Sequence, residues 1–218
     1  MYDKFTQVDD SIRGDHYYLA PEDYCVFFGE YTARLGYSHS KTNQLIVNLK
    51  WGMEFKGTSR FRYKDKAIKT VANCLRLIAN PENLTFVPIP PSKASDDPLY
   101  DDRLVQILEA FCKIMPLAHF SEILKQKAST RSSHECADGN RLKPDELEAN
   151  YEIDNSKFDE VRENIVIFDD MLTTGSHFKA AQSVLHRVLP DRKIAGLFIA
   201  RRVPESIDPL DILEDFLE

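Results

Sequence analysis

Asp169 and Asp170 stand side by side directly after the apolar run Ile165-Val166-Ile167-Phe168, and Thr173, Thr174, Gly175 and Ser176 follow. Two adjacent carboxylates can accept hydrogen bonds from the vicinal hydroxyls of a sugar, or hold a metal ion through water. The stretch after them has the opposite preference. Threonine and serine hydroxyls donate hydrogen bonds. Gly175 allows close backbone approach, and an ensuing helix offers free N–H groups at the positive end of its dipole. Phosphate suits that second half and would be repelled by the first, so the two halves divide one ligand between them.

Positioning such a stretch requires a strand before it and a helix after it. The apolar run ending in the acids reads as a buried strand, and Phe178, Ala181, Val184, Leu185 and Val188 recur at helical spacing over Ser176–Leu189. Lys193–Ala200 follows as a second buried strand. Upstream, Ile68, Val71, Ala72, Leu75 and Ile78 mark a helix over 65–79, which Asn80-Pro81 stops. Thr85–Pro90 is a short strand leading into a turn-rich loop. A helix follows whose apolar face is Leu104, Ile107, Leu108, Phe111, Ile114 and Met115, with Asp101 or Asp102 at its cap. Tyr24–Ala33 has strand composition, whereas Ser40–Gly52 fits a strand or a short helix equally.

This alternation predicts an α/β fold, a doubly wound, mostly parallel sheet flanked by helices. Ligands of such sheets bind at the carboxyl ends of the strands, where the acid pair lies. Residues 126–160 are polar with little apolar periodicity, the mark of a lid or loop over a site.

Two other readings of the acid pair fail on sequence. The metal-positioning strand of a P-loop NTPase needs a G-x-x-x-x-G-K-[ST] loop, which is absent. A phosphatase nucleophile in a D-x-D arrangement needs a second acid where Met171 stands.

The 218 residues are 43% hydrophobic and 29% charged, with a net charge of -7, which suits one core and disfavours indiscriminate nucleic-acid binding. The charge is uneven. Eight Lys/Arg against two acids fall between Lys41 and Thr70, and six acids with no Lys/Arg lie after Pro204. The basic segment 41–70 also carries Trp51, Phe55, Phe61 and Tyr63, the mixture used by single-stranded nucleic-acid sites. That segment and the acidic C-terminal tail are therefore the expected places for a nucleic acid or partner protein. Cys25, Cys74, Cys112 and Cys136 are far apart, with no zinc or disulfide spacing. No apolar run is long enough to span a membrane, and the polar, acidic N-terminus lacks targeting features, so the expected location is cytoplasmic with no membrane association.

Val166-Ile167-Phe168-Asp169-Asp170-Met171-Leu172-Thr173-Thr174-Gly175-Ser176 resembles the binding motif for phosphoribosyl pyrophosphate (PRPP) of the type I phosphoribosyltransferases. The resemblance covers about 65–200 and sets residues 1–60 apart as an N-terminal extension, packed in part with the hood, before a core over 61–218. It implies that Asp169 and Asp170 hold the ribose hydroxyls. Thr173, Thr174, Gly175, Ser176 and His177 then hold the 5′-phosphate, and Met171 and Leu172 belong to the same ribose and 5′-phosphate site. Val87–Lys93 falls where the family has its pyrophosphate loop, which makes Pro91, Ser92 and Lys93 the loop residues and Lys93 its cation. The Val-Pro-Ile-Pro run and the helix carrying Arg103 are most similar to the ComF branch, with Arg103 approaching the pyrophosphate.

The family also implies Mg²⁺, brought with PRPP and contacted indirectly through Asp169 and Asp170, and a homodimer. Its mobile hood corresponds to 126–160, with Lys125, Lys127, Arg131, His134 and Arg141 as candidate contacts. Three features depart from the pattern. The zinc-module cysteines of the ComF branch are missing. Thr173 stands where purine-salvage members have a general-base Asp, which disfavours a 6-oxopurine acceptor. His177 stands where many members have Thr. The expected activity is transfer of the phosphoribosyl group from PRPP to an unidentified nitrogenous base or amine. The alternatives are a non-catalytic PRPP- or nucleotide-binding module acting on a partner and, third, a nucleotide hydrolase.

Overall fold

A computed structural model describes residues 2–129 and 142–204. In chain order the elements are β1 (Thr6–Gln7), α1 (Asp10–Arg13), β2 (Cys25–Thr32), α2 (Lys41–Leu49), α3 (Phe61–Cys74), β3 (Leu84–Pro88), α4 (Arg103–Ile114), β4 (Leu124–Gln126), α5 (Pro144–Asn150), β5 (Tyr151–Ile153), β6 (Asn164–Leu172), α6 (Ser176–Val188) and β7 (Lys193–Val203). The main sheet has the order β1-β2-β7-β6-β3. Its last four strands are parallel, and only the short edge strand β1 runs antiparallel. A mixed α/β fold with a mostly parallel sheet flanked by helices is thus the architecture.

The inner strands are apolar on both faces because helices cover them. Phe86, Val87, Ile167, Phe168, Phe198, Ile199 and Ala200 are all buried. α2, α3 and α4 pack on one another and reach the sheet through β2, β3, β6 and β7, while α5 packs on α6. Gly196 lets β7 pass between Cys25 and Phe178, since a Cβ there would stand within 3.0 Å of both side chains.

Residues 1–60, set apart by sequence as an extension, carry β1, β2 and α2, so position 60 falls within the packed unit. The ambiguous 40–52 stretch is helical. Ser40 caps α2 by accepting from the Asn43 N–H at 3.0 Å, and Leu45, Ile46 and Leu49 turn inward. Asn43 is fully buried and ties α2 to the end of β2, donating to the Thr32 and Gly36 carbonyls and accepting from the Thr32 N–H. Asp102 occupies the cap of α4, but the carboxylate that serves its first turn is that of Asp101, which accepts from the Arg103 N–H.

Part of the polar 126–160 stretch has regular structure. β4 and β5 form a separate antiparallel pair, with Lys125 opposite Glu152, and α5 precedes β5. Arg131, His134, Arg141, Cys136 and the acidic tail lie outside the described residues. Among the described residues, no helix is long and apolar enough to cross a membrane.

Candidate functional site

A cavity of about 720 Å³ opens at the carboxyl ends of β2, β3, β6 and β7. Its floor includes Asp169, Asp170, Met171 and Thr173, with Pro91 and Ser92 after β3 on one side and Arg34 and Arg202 at the ends of β2 and β7 on the other. Lys50, Arg103 and His177 complete the inner wall. Strand order fixes this layout: β6 lies between β3 and β7, so the acid pair sits near the middle of the opening.

The sequence suggests that the strand ends at the acids. In the structure β6 continues through Leu172, so Asp169 and Asp170 are successive strand residues and project to opposite faces. Their surroundings differ accordingly. Asp170 is buried and accepts from Arg103 Nε at 3.0 Å and Nη2 at 2.6 Å, while the Lys50 ammonium stands 3.1 Å from its other oxygen. Burial alone would raise its pKa, but Lys50 and Arg103 outweigh burial and hold the carboxyl well below the usual range. Asp169 accepts only the Asp170 N–H in its immediate stretch, at 2.7 Å. Burial and the adjacent Asp170 charge push it up to about 7. Asp170 is thus held toward its charged form, and Asp169 is pushed toward its neutral form.

The Asp170 contacts belong to a longer ion-paired chain. Arg103 also donates to Asp101 at 2.7 Å, and Asp101 accepts from Lys64 at 2.6 Å. Lys64 has no exposed surface and donates as well to the Trp51 carbonyl at 2.8 Å. Its pKa is lowered by burial, against the pull of Asp101. α2, α3, α4 and β6 each contribute to this chain.

A carboxyl whose folded pKa is raised to about 7, as at Asp169, binds more protons folded than unfolded between pH 4 and 7. Its contribution is therefore lost as pH rises through that window. His177 has the opposite effect: burial pushes its pKa down to about 4, so its neutral form favours folding as pH rises toward 6.5. Asp169→Asn removes the first contribution and keeps the second. The melting temperature of the variant is expected to gain on that of wild type from pH 4 to pH 7.

The hydroxyl-rich loop is only partly open to the cavity. Thr173 and His177 line it; Thr174, Gly175 and Ser176 do not, and Leu172 is buried in the core. The His177 ring shares a 2.9 Å hydrogen bond with the Tyr151 hydroxyl and is neutral at physiological pH. The outer side of the loop is held by a segment that sequence reasoning did not connect to it. Tyr18 N–H donates to the Thr174 carbonyl, the His16 ring bonds the Thr173 carbonyl, and Leu19 packs on Gly175. Among the described residues, the buried Thr174 hydroxyl and His16 Nε2 have no hydrogen-bond partner.

Gly175 has φ 84°, in the left-handed region, and a Cβ there would meet Leu19 at 3.0 Å. Gly175→Ala is expected to destabilise the protein by about 1–2 kcal/mol, read as a lowered urea midpoint.

Arg103, expected at the pyrophosphate, is committed to Asp170 and Asp101. Ser92 lines the cavity, and its carbonyl accepts from Gln126 at 3.4 Å. Lys93 is not among the lining residues; Asp97, held down chiefly by the Leu99 N–H and the Ser129 hydroxyl, feels its charge. Of the hood candidates, Lys125 lines the cavity while bonded to Asp154 at 2.7 Å, and Lys127 donates instead to the Ala149 carbonyl. Lys50 was visible in sequence only as one of several basic residues between 41 and 70. Its place beside Asp170 follows from the seating of α2 on β2. Among the described residues, no group of three or more His, Cys, Asp or Glu side chains is arranged to hold a metal ion.

These features define an α/β protein with a polar, charge-rich ligand cavity at the carboxyl end of a parallel sheet. No protein-family model and no curated protein matches the chain.

Proposed function

We propose that the cavity binds PRPP as its magnesium complex and that the protein transfers the phosphoribosyl group to a nitrogenous base or amine, releasing pyrophosphate. The observation that carries this reading is the placement of the acid pair. It opens into the cavity at the carboxyl end of β6, between Thr173 at the start of the hydroxyl loop and Ser92 after the neighbouring strand β3. A sugar phosphate has both chemistries: hydroxyls for the carboxylates, and phosphate for Thr173 and the N-terminus of α6.

Magnesium fits this donor set as a passenger of the substrate. Asp170 is spent on Lys50 and Arg103, which leaves Asp169 as the carboxylate able to contact the hydrated ion. Asp169 would hold the ion through water, and the ion would supply positive charge to the departing diphosphate.

In the proposed reaction the acceptor nitrogen's lone pair forms a bond to the anomeric carbon as the bond from that carbon to the pyrophosphate oxygen breaks. Pyrophosphate leaves with the electron pair, and the acceptor nitrogen then loses a proton. Asp169, with a pKa near 7, is suited to take that proton. Positioning and charge stabilisation account for most of the rate.

One observation favours the non-catalytic alternative, a PRPP- or nucleotide-binding module. Asp170 already has two cationic partners, and Leu19 sits on the glycine of the loop. A site organised in this way suits retention of ligand as well as turnover. Incubating the protein with PRPP, Mg²⁺ and a panel of nitrogenous bases and amines, and measuring pyrophosphate, separates the two. Release that depends on one acceptor supports transfer. Tight PRPP binding with no release on any acceptor supports the binding module.

A further inference from the structure

We infer that Lys50, supplied by the C-terminal end of α2, is the cation that receives the diphosphate group of the ligand. The assignment rests on the PRPP reading for the identity of the whole ligand, but its geometry stands separately. Lys50 lines the cavity, its ammonium lies 3.1 Å from Asp170, and a fifth of its side chain is exposed. It is the C-cap residue of α2, where a cation is favoured by the helix dipole. The buried Asn43 bonds tie the first turn of α2 to the end of β2, and Leu45, Ile46 and Leu49 seat the rest of the helix in the core, which sets where Lys50 reaches.

Cations converge around Lys50. Lys50 and Arg103 share the Asp170 carboxylate, and Arg103 and Lys64 share that of Asp101. Three cationic side chains are thus gathered on this side of the cavity, with Lys50 and Arg103 among its lining residues. The far rim has the opposite character. Glu122 and Glu152 line the cavity there, and Lys125 beside them is already paired with Asp154, so a diphosphate is disfavoured. Lys93 is outside the cavity lining, whereas Lys50 is within it.

An incoming phosphate oxygen adjacent to Asp170 competes with that carboxylate for the Lys50 ammonium. Arg103, which holds Asp170 by two hydrogen bonds, keeps the carboxylate charged while Lys50 turns to the ligand. Lys50 is thus a binding residue, and Arg103 positions Asp170.

The test is titration calorimetry of magnesium PRPP and, separately, magnesium pyrophosphate into wild type, Lys50→Met, Lys50→Arg and Lys93→Met. A melting curve on each variant confirms the fold. Lys50→Met is expected to weaken both ligands by about 10- to 100-fold, the scale of one charge-assisted hydrogen bond. Lys50→Arg recovers most of that loss, and Lys93→Met stays within about threefold of wild type. Unchanged affinity in Lys50→Met, or the large loss appearing in Lys93→Met instead, overturns the assignment. Wild type that binds pyrophosphate through Lys50 but does not bind PRPP overturns the functional reading and leaves this assignment standing. Wild type that binds neither overturns both.

Discussion

Asp101→Ala is expected to cost about 3–5 kcal/mol of folding stability at pH 7, because it strands a fully buried ammonium. Lys64 has two partners, the Asp101 carboxylate and the Trp51 carbonyl, and only the carboxylate carries charge. Arg103 loses a partner in the same substitution, although Asp170 still holds it. The loss has a pH signature. Burial already lowers the Lys64 pKa, and removal of Asp101 lowers it further. A cation with a depressed folded pKa binds fewer protons folded than unfolded, so stability rises as pH climbs toward the unfolded lysine value. Urea midpoints for the variant should therefore recover toward wild type between pH 7 and pH 10. A constant deficit over that range would mean that Lys64 is not the group left uncompensated.

On the proposed reading, in which Asp170 holds the ribose hydroxyls, Asp170→Asn is expected to weaken magnesium PRPP binding by about 100-fold or more. The substitution preserves shape and removes only the charge. It leaves Lys50 and Arg103 facing one another without their shared anion, so some stability is lost as well, and binding has to be measured below the variant's own melting range. Asp169→Asn should weaken binding less. Burial and the Asp170 charge already push Asp169 toward its neutral form, whereas Asp170 is held charged by Lys50 and Arg103. Equal losses in the two variants would mean that the acids act as a symmetric pair, against the asymmetry imposed by their opposite strand faces.

Much of the fold was legible in the sequence because it is written in local patterns. β6, α6 and β7 follow from an apolar run, a helical periodicity and a second apolar run, and the acid pair falls at the carboxyl end of the strand as read. α2 was ambiguous because nine residues hold too few turns for periodicity to decide. Its helical state depends on the Ser40 cap and on Asn43 bonding to β2, which are not visible in apolar spacing. The role of the first sixty residues was missed because strand order is a long-range property. β2 joins the sheet beside β7, its pairing partner some 170 residues later, by parallel pairing that no local signal announces.

The candidate site shows the same division. The motif named Asp169, Asp170, Thr173 and Ser92, which the fold brings to one cavity. Lys93 stands in the expected loop, but loop position does not say which way a side chain turns. The reach of Lys50 to Asp170 depends on how α2 packs, which no local pattern shows. The asymmetry of the acids was also hidden. Two adjacent letters look equivalent until the strand is seen to continue to Leu172 and send them to different faces. The strap formed by His16, Tyr18 and Leu19 over the hydroxyl loop had no sequence signal beyond a few aromatic and apolar residues near the N-terminus.

The central claim is that this cavity holds a phosphoribosyl diphosphate through its acid pair, and the most direct measurement is calorimetric titration of the wild-type protein with PRPP in the presence of Mg²⁺, repeated with Asp170→Asn. Saturable 1:1 binding by the wild type, lost or weakened by about 100-fold in the variant, is the predicted result. No heat of binding by a folded wild-type protein, or equal affinity in the two proteins, would contradict it.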